Sequence, residues 1–130
     1  MTILLLNTST AHCQLFLADE GGMTDGSWEA GRTLAHDLLR HIDELLASRG
    51  KTRDELTGIG IVKGPGSFTG LRIGITVTNT LAEAKNIAIV GVEDGVSWRA
   101  QAVDRLHAGE NDRIVLPEYG SAAHITMPRK

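Results

Sequence analysis

Four glycines, Gly64, Gly66, Gly70 and Gly74, punctuate the stretch "KGPGSFTGLRIG" (Lys63–Gly74), with Pro65, Ser67 and Thr69 among them. The stretch follows the apolar run Thr57–Val62. A glycine-rich turn that leaves a strand and opens a helix can cradle phosphate, because clustered backbone N–H groups attract an anion. The pattern G-x-x-x-x-G-K-[ST] is nevertheless absent, since Lys63 precedes the glycines. Ser67 and Thr69 instead suit the capping of a helix start. A tight strand-to-helix turn followed by close packing is the better account of the glycines.

Other candidate chemistry is thinner. His36 and His41 lie five residues apart, which turns them about 140° from each other on a helix; paired zinc histidines sit at i, i+4. Asp43 with Glu44, and Glu29 with Asp37, offer carboxylate pairs, but a solvated charged face accounts for both. Trp28 and Trp98 read as core or interface anchors. Cys13 is the single cysteine, which excludes an internal disulfide and a multi-cysteine metal site; within an apolar segment it reads as a small buried side chain. Arg72 suits a partner carboxylate, an RNA phosphate or an ordinary surface ion pair, and the residue type does not separate the three.

Periodicity supplies the elements that must position these residues. Thr2–Thr10 reads as a buried strand ending in a hydroxyl-rich turn. His12–Met23 reads as a second strand with a hairpin turn at Gly21-Gly22, and a third strand is expected toward Glu29. Short links make these three antiparallel. Thr33–Lys51 is the clearest helix, with Leu34, Leu38, Ile42, Leu45 and Leu46 on one face and Gly50 at its stop. Thr52–Glu55 forms a capping-box pattern before the next strand. Asn86–Glu93 reads as a strand, and Ser97–Gly109 as a helix with Trp98, Ala102 and Leu106 on one side.

The segment after the glycine loop carries two patterns. Leu71, Ile73, Ile75 and Val77 alternate with small or polar residues, as in a strand. Gly66, Gly70, Gly74, Thr78 and Ala82 recur every four residues. On a helix that makes one ridge of small side chains, against which a second helix can pack closely. Parallel strands on either side favour a crossover helix. The residues alone leave strand and helix both open.

The chain has 130 residues, which suits one domain. It is 22% charged and 42% hydrophobic, as ordinary globular proteins are. A net charge of −3 argues against autonomous nucleic-acid binding. The apolar runs are too short to span a bilayer and no basic region precedes a signal-type core, so a cytoplasmic location without membrane attachment is expected. A domain over residues 1–110 and a tail over 111–130 are expected. The tail, with Pro117 and Pro128, should be extended or loosely attached.

"GPGSFTGLRIG" (Gly64–Gly74), with "ILLLNTST" near the start, "AHDLLRHIDELL" (Ala35–Leu46) and "AIVGV" (Ala88–Val92), resembles the TsaB family, also called YeaZ, over roughly the first hundred residues. The resemblance implies a single α/β domain of the actin-like ATPase, ribonuclease-H-like type. Its mixed sheet would have three leading antiparallel strands and flanking helices, with the signature segment helical. It implies a role in making threonylcarbamoyladenosine, the modified base beside the anticodon. The chain would be a non-catalytic scaffold that contacts tRNA only indirectly and carries no cofactor, metal or catalytic residue of its own. Its partner would be the TsaD-type subunit that binds metal and transfers the threonylcarbamoyl group, with a TsaE-type ATPase in the complex. A homodimer through the same helices is the other expected assembly.

Two departures stand out. Asn7 occupies the position where the family usually has aspartate, and a neutral amide is a poorer ligand for a divalent cation. Members usually carry a second related domain, so the chain is expected to be a minimal single-domain form. The expected partner interface comprises Leu34, Leu38 and Ile42 of the first helix, and Phe68, Gly70, Leu71, Arg72, Gly74, Ile75 and Thr78 of the signature helix. Gly64, Pro65, Gly66, Ser67 and Thr69 form the signature loop. On that reading Gly74→Leu abolishes partner binding and leaves the monomer folded. The alternative is an ATP-binding or hydrolytic enzyme using Ser9, Thr10 and Gly64–Gly66. Asn7 and the missing domain weigh against it.

Overall fold

A computed structural model describes residues 1–119. The first strand, β1 (Ile3–Asn7), pairs antiparallel with β2 (His12–Asp19), and β2 pairs antiparallel with β3 (Gly22–Asp25). The expected third strand is interrupted. Gly26 and Ser27 break it, and Trp28–Glu29 returns as a two-residue strand, β4, beside the start of β2. At the break the Ser27 hydroxyl accepts from the Leu15 N–H at 3.0 Å, so a side chain replaces a ladder bond. The parallel strands β5 (Gly58–Gly64) and β6 (Ala88–Glu93) complete the order β3-β2-β1-β5-β6.

Helix α1 (Leu34–Ser48) and helix α2 (Phe68–Lys85) cover one face of this mixed sheet. Helix α3 (Trp98–His107) covers the other. Strand alternation assigns the faces: Leu4, Leu6, Ile59 and Ile61 point to α1 and α2, while Ile3, Leu5 and Val62 point to α3. Each Leu or Ile so buried contributes about 1.5–3 kcal/mol by removal from water. The segment from Phe68 is a helix, since the β5-to-β6 connection joins parallel strands. The Ser67 side chain caps its start, accepting from the Gly70 N–H at 3.3 Å, and Asn86 ends it in a left-handed conformation. The alternating strand pattern loses to this topology.

The charged loops tie the layers together. The Asp19 side chain, 1% exposed, accepts from Arg49 Nε at 3.1 Å and Lys51 Nζ at 3.2 Å. The Arg49 hydrogen bond is the main cause that holds the Asp19 carboxyl down at about 2. The expected capping box is present at Thr52–Glu55, where Glu55 accepts from the Thr52 N–H at 2.8 Å.

The first part of the tail differs from its expected loose attachment. Residues 111–119 form a strap that leaves α3, passes the outer edge of β6 and crosses to α2. Asn111 and Asp112 accept from the Ile89 and Gly91 N–H groups, substituting for a neighbouring strand. Val115, 3% exposed, enters the core over Gly91, where a Cβ would come within 2.6 Å of its Cγ1. Asn79 of α2 grips both the N–H and the carbonyl of Val115, at 2.9 and 3.0 Å. These partners satisfy the strap's backbone without regular structure. Residues 120–130, the rest of the expected tail, lie outside the described residues.

Candidate partner interface

The signature loop is built around the turn after β1. Ser67 N–H donates to the Ser9 carbonyl at 2.8 Å, and Ser9 N–H donates to Asn7 Oδ1 at 3.0 Å. The Thr8 hydroxyl donates to the Gly70 carbonyl at 2.7 Å. A Cβ on Gly70 would overlap the Thr8 carbonyl oxygen, one on Gly74 the Thr8 hydroxyl, and one on Gly66 the Ser9 side chain. The small ridge of α2 therefore lies against its own chain. Thr8 is wholly buried there, and Thr78 continues the ridge inward.

This placement puts most of the expected interface residues inside the chain's own packing. Leu34, Leu38 and Ile42 of α1, and Leu71, Gly74, Ile75 and Thr78 of α2, are buried in the chain's own core. Their periodic spacing marks the face that meets the sheet, as in any amphipathic helix at a sheet surface. Gly70 is half-buried against Thr8. Of the expected contact residues, Phe68 and Arg72 remain exposed. In the loop, Pro65, Gly66, Ser67 and Thr69 are exposed and Gly64 is buried under the Glu118 carbonyl. On the outer surface of the two helices, Arg72 and Thr69 are joined by residues outside the expected set. Ala35, Thr69, Arg72, Ile73, Thr76 and Val77 line a shallow groove of about 380 Å³ between α1 and α2. Leu39 of α1 is 40% exposed. Ala35, Leu39, Ile73, Thr76 and Val77 were missed because they stand beside the apolar stripe and not on it.

At its open end Phe68 is 53% exposed, with the Tyr119 ring of the strap 4.5 Å away and the Arg72 guanidinium 5.2 Å over its face. Exposed aromatic and arginine side chains held in place by neighbours are the composition of protein-binding anchors.

Of the residues in the alternative enzyme reading, Ser9 lends its carbonyl to the Ser67 N–H, the Thr10 hydroxyl donates to the His12 carbonyl at 3.1 Å, and Gly66 lies against the Ser9 side chain. Asn7 Nδ2 donates to Gln14 Oε1 at 3.2 Å and to Asp94 Oδ1 at 3.1 Å, and Trp98 Nε1 donates to the same Gln14 oxygen at 3.2 Å. Ser9 and Ser67 spend backbone groups on each other. Among the described residues no three His, Cys, Asp or Glu side chains converge. His36 pairs with Asp37 at 2.8 Å, whereas His41 stacks on Trp28 at 3.8 Å, so the two histidines serve different neighbours. Asp43 is held by Arg53, Glu44 by Arg40 and Glu29 by His12. Trp98 is buried under α3, and burial pushes the Cys13 thiol up to about 12.

Comparison with known proteins bears on this geometry. Residues 6–105 match the family model "TsaD: tRNA N6-adenosine threonylcarbamoyltransferase". The chain is 34% identical over 111 residues to the tRNA threonylcarbamoyladenosine biosynthesis protein TsaB of Haemophilus influenzae, covering 85% of this chain and 47% of that one. It is 27% identical over 119 residues to TsaB of Escherichia coli, covering 88% and 52%. Among solved structures, YeaZ from Pseudomonas aeruginosa superposes with a TM-score of 0.69 at 33% identity, covering 77% of this chain and 49% of that one. The chain thus spans about half the length of the relatives it matches. The mixed sheet with helices on both faces is the actin-like, ribonuclease-H-like fold.

Proposed function

This chain belongs to the family that the threonylcarbamoyltransferase model describes, and within it to the TsaB (YeaZ) group; from that premise we propose that it is a non-catalytic scaffold in threonylcarbamoyladenosine formation on tRNA. Its partner on this reading is the TsaD-type subunit, in a complex that a TsaE-type ATPase joins, and its contact with tRNA is indirect. The observation that carries the reading is the outer face of α1 and α2. The signature helix spends its glycines on the chain's own Thr8, and turns Ile73, Val77 and Thr76 outward beside Ala35 into a groove that the fold itself leaves open. A paralogous helix pair laid into that groove would bury an apolar centre and leave a polar rim. The partner's active shape would be favoured by whatever affinity the scaffold has for it over other shapes.

Light scattering on a sizing column tests this, with the chain alone and mixed with the TsaD-type protein of the same organism. A mixed complex of defined mass is the expected result. Two separate peaks, with and without ATP and the TsaE-type protein, would overturn the reading.

A further inference from the structure

The groove between α1 and α2 continues toward the start of both helices. A second depression, lined by Thr10, Ala11, Arg32, Leu34, Ser67 and Gly70 among others, shares Thr69 and Ile73 with the first. Together they make one trough with an apolar floor. Among the described residues its charged lining consists of Arg32 and Arg72, with no carboxylate. That is uneven for a chain with 16 acidic against 13 basic residues.

The two arginines differ from the others nearby. Arg40, Arg49 and Arg53, on α1 or just beyond it, each hold an acidic side chain of this chain. Among the described residues, no carboxylate lies within ion-pair distance of Arg32 or Arg72. Arg72 is also pre-positioned, since its guanidinium lies over the Phe68 ring, which Tyr119 packs against in turn. A stacked guanidinium keeps its N–H edge available for a bidentate acceptor and loses little freedom when it binds one.

We propose that Arg32 and Arg72 set the register and choice of the protein laid in this trough, by meeting carboxylates on an otherwise apolar helix of the partner. This deepens the scaffold reading and rests on it. An RNA phosphate is the weaker occupant: backbone binding recruits many cations at once, whereas this trough has two and its floor is apolar. A second copy of this chain would bring the same two arginines to the seam and would need to supply the acids from elsewhere.

The test measures affinity for the TsaD-type protein by calorimetry, at about 50 mM salt and again at about 500 mM, where screening suppresses exposed charges. The chain is compared with Arg32→Glu/Arg72→Glu, and with Arg99→Glu on the opposite face of the sheet as a charge control. The double variant should bind at least tenfold more weakly than the control at low salt, with the gap closing at high salt and melting curves unchanged. Arg72→Lys should recover only part of the loss, because an ammonium cannot reproduce the fork. Equal affinities for the double variant and the control would overturn the inference while leaving the scaffold reading intact. An unaltered chain that does not bind would remove both. A loss seen only in tRNA binding or only in self-association would overturn the choice of partner.

Discussion

The inner and outer faces of α2 use the same eighteen residues in opposite ways. The inner face is a ridge of Gly70, Gly74, Thr78 and Ala82 pressed on the turn after β1 and on the core. The outer face carries Arg72, Ile73, Thr76 and Val77 along an open groove. A small residue every fourth position shows that something comes close, but not whether it belongs to the same chain. The answer lies on the opposite surface. Thr8 puts its hydroxyl on the Gly70 carbonyl and its side chain where a Gly74 Cβ would be. The signature glycines are thus spent on the fold, and the face of α2 left open is the one without them.

The largest predicted effect breaks the inner face. Gly74→Leu should not give a folded chain that merely loses its partner, as the ridge alone suggests. It should lose cooperative melting or cost more than about 4 kcal/mol, because the new side chain meets a fully buried turn that has no room to retreat. Gly74→Ala should cost less, and Thr8→Ala in the same chain should recover part of that cost. Circular dichroism melts of the single and double variants would read the coupling. Additive single-variant costs would show that Thr8 is not what the glycine accommodates.

The strap is the next region to set against the ridge, since it too reaches α2. Val115→Ala should lower stability by about 2 kcal/mol by emptying a site in the core. Asn79→Ala should lose both backbone bonds to Val115 and loosen the strap with it. Amide exchange should accelerate at residues 111–119 in both variants while β1 and β5 keep their protection. Loss of protection throughout the sheet would show that strap and core open as one unit.

How far these arrangements can be read from the chain itself varies by element. β1, β2, α1, β5, β6 and α3 stand in the sequence because their apolar residues repeat at the period of their element. α2 does not, because its β-branched and small residues satisfy both periods; topology decides it. The strap has no period, and what holds it are single residues: Val115 in the core and Asn79 gripping its backbone. Two signals point to it. Asn79 is a poor choice for the middle of a helix unless its amide is used, and Gly91 is a weak strand residue unless another backbone passes close. For α2, the family signature marks the helix, but the apolar stripe within it marks the side that meets the chain's own core. The hydroxyls of Thr8 and Ser9 in "NTST" are the residues that would have shown which side faces home.

Acid should loosen the tie between the β2–β3 hairpin and the end of α1. Asp19 is held near a value of about 2, below the ordinary carboxylate range, by Arg49 and Lys51. A lowered folded-state value means that its contribution is complete above about pH 4, the unfolded aspartate value, and fades as pH falls toward 2. Asp19→Asn should therefore flatten the decline in melting temperature between these limits. It should leave the decline above pH 5 unchanged, since Asp19 is ionised there in both states. A variant whose acid profile overlays that of the unaltered chain would mean that other carboxylates govern the transition.

The smallest effect on stability belongs to the outer face, and there the function should respond. Ala35 and Thr76 are exposed, line the groove and touch none of the ridge. Replacing both with Gln keeps strong helix formers in place, so stability should change by no more than about 0.5 kcal/mol. On the proposed scaffold reading, two hydrated amides would nonetheless fill the space an apolar partner helix takes, and affinity for the TsaD-type protein should fall at least about tenfold, or 1.4 kcal/mol. The inner-face variants invert this ratio, with large losses of stability and a binding defect only in proportion to the unfolded fraction. If Ala35→Gln/Thr76→Gln melts normally and binds normally, the groove is not the partner surface. The two faces of α2 would then differ in packing alone.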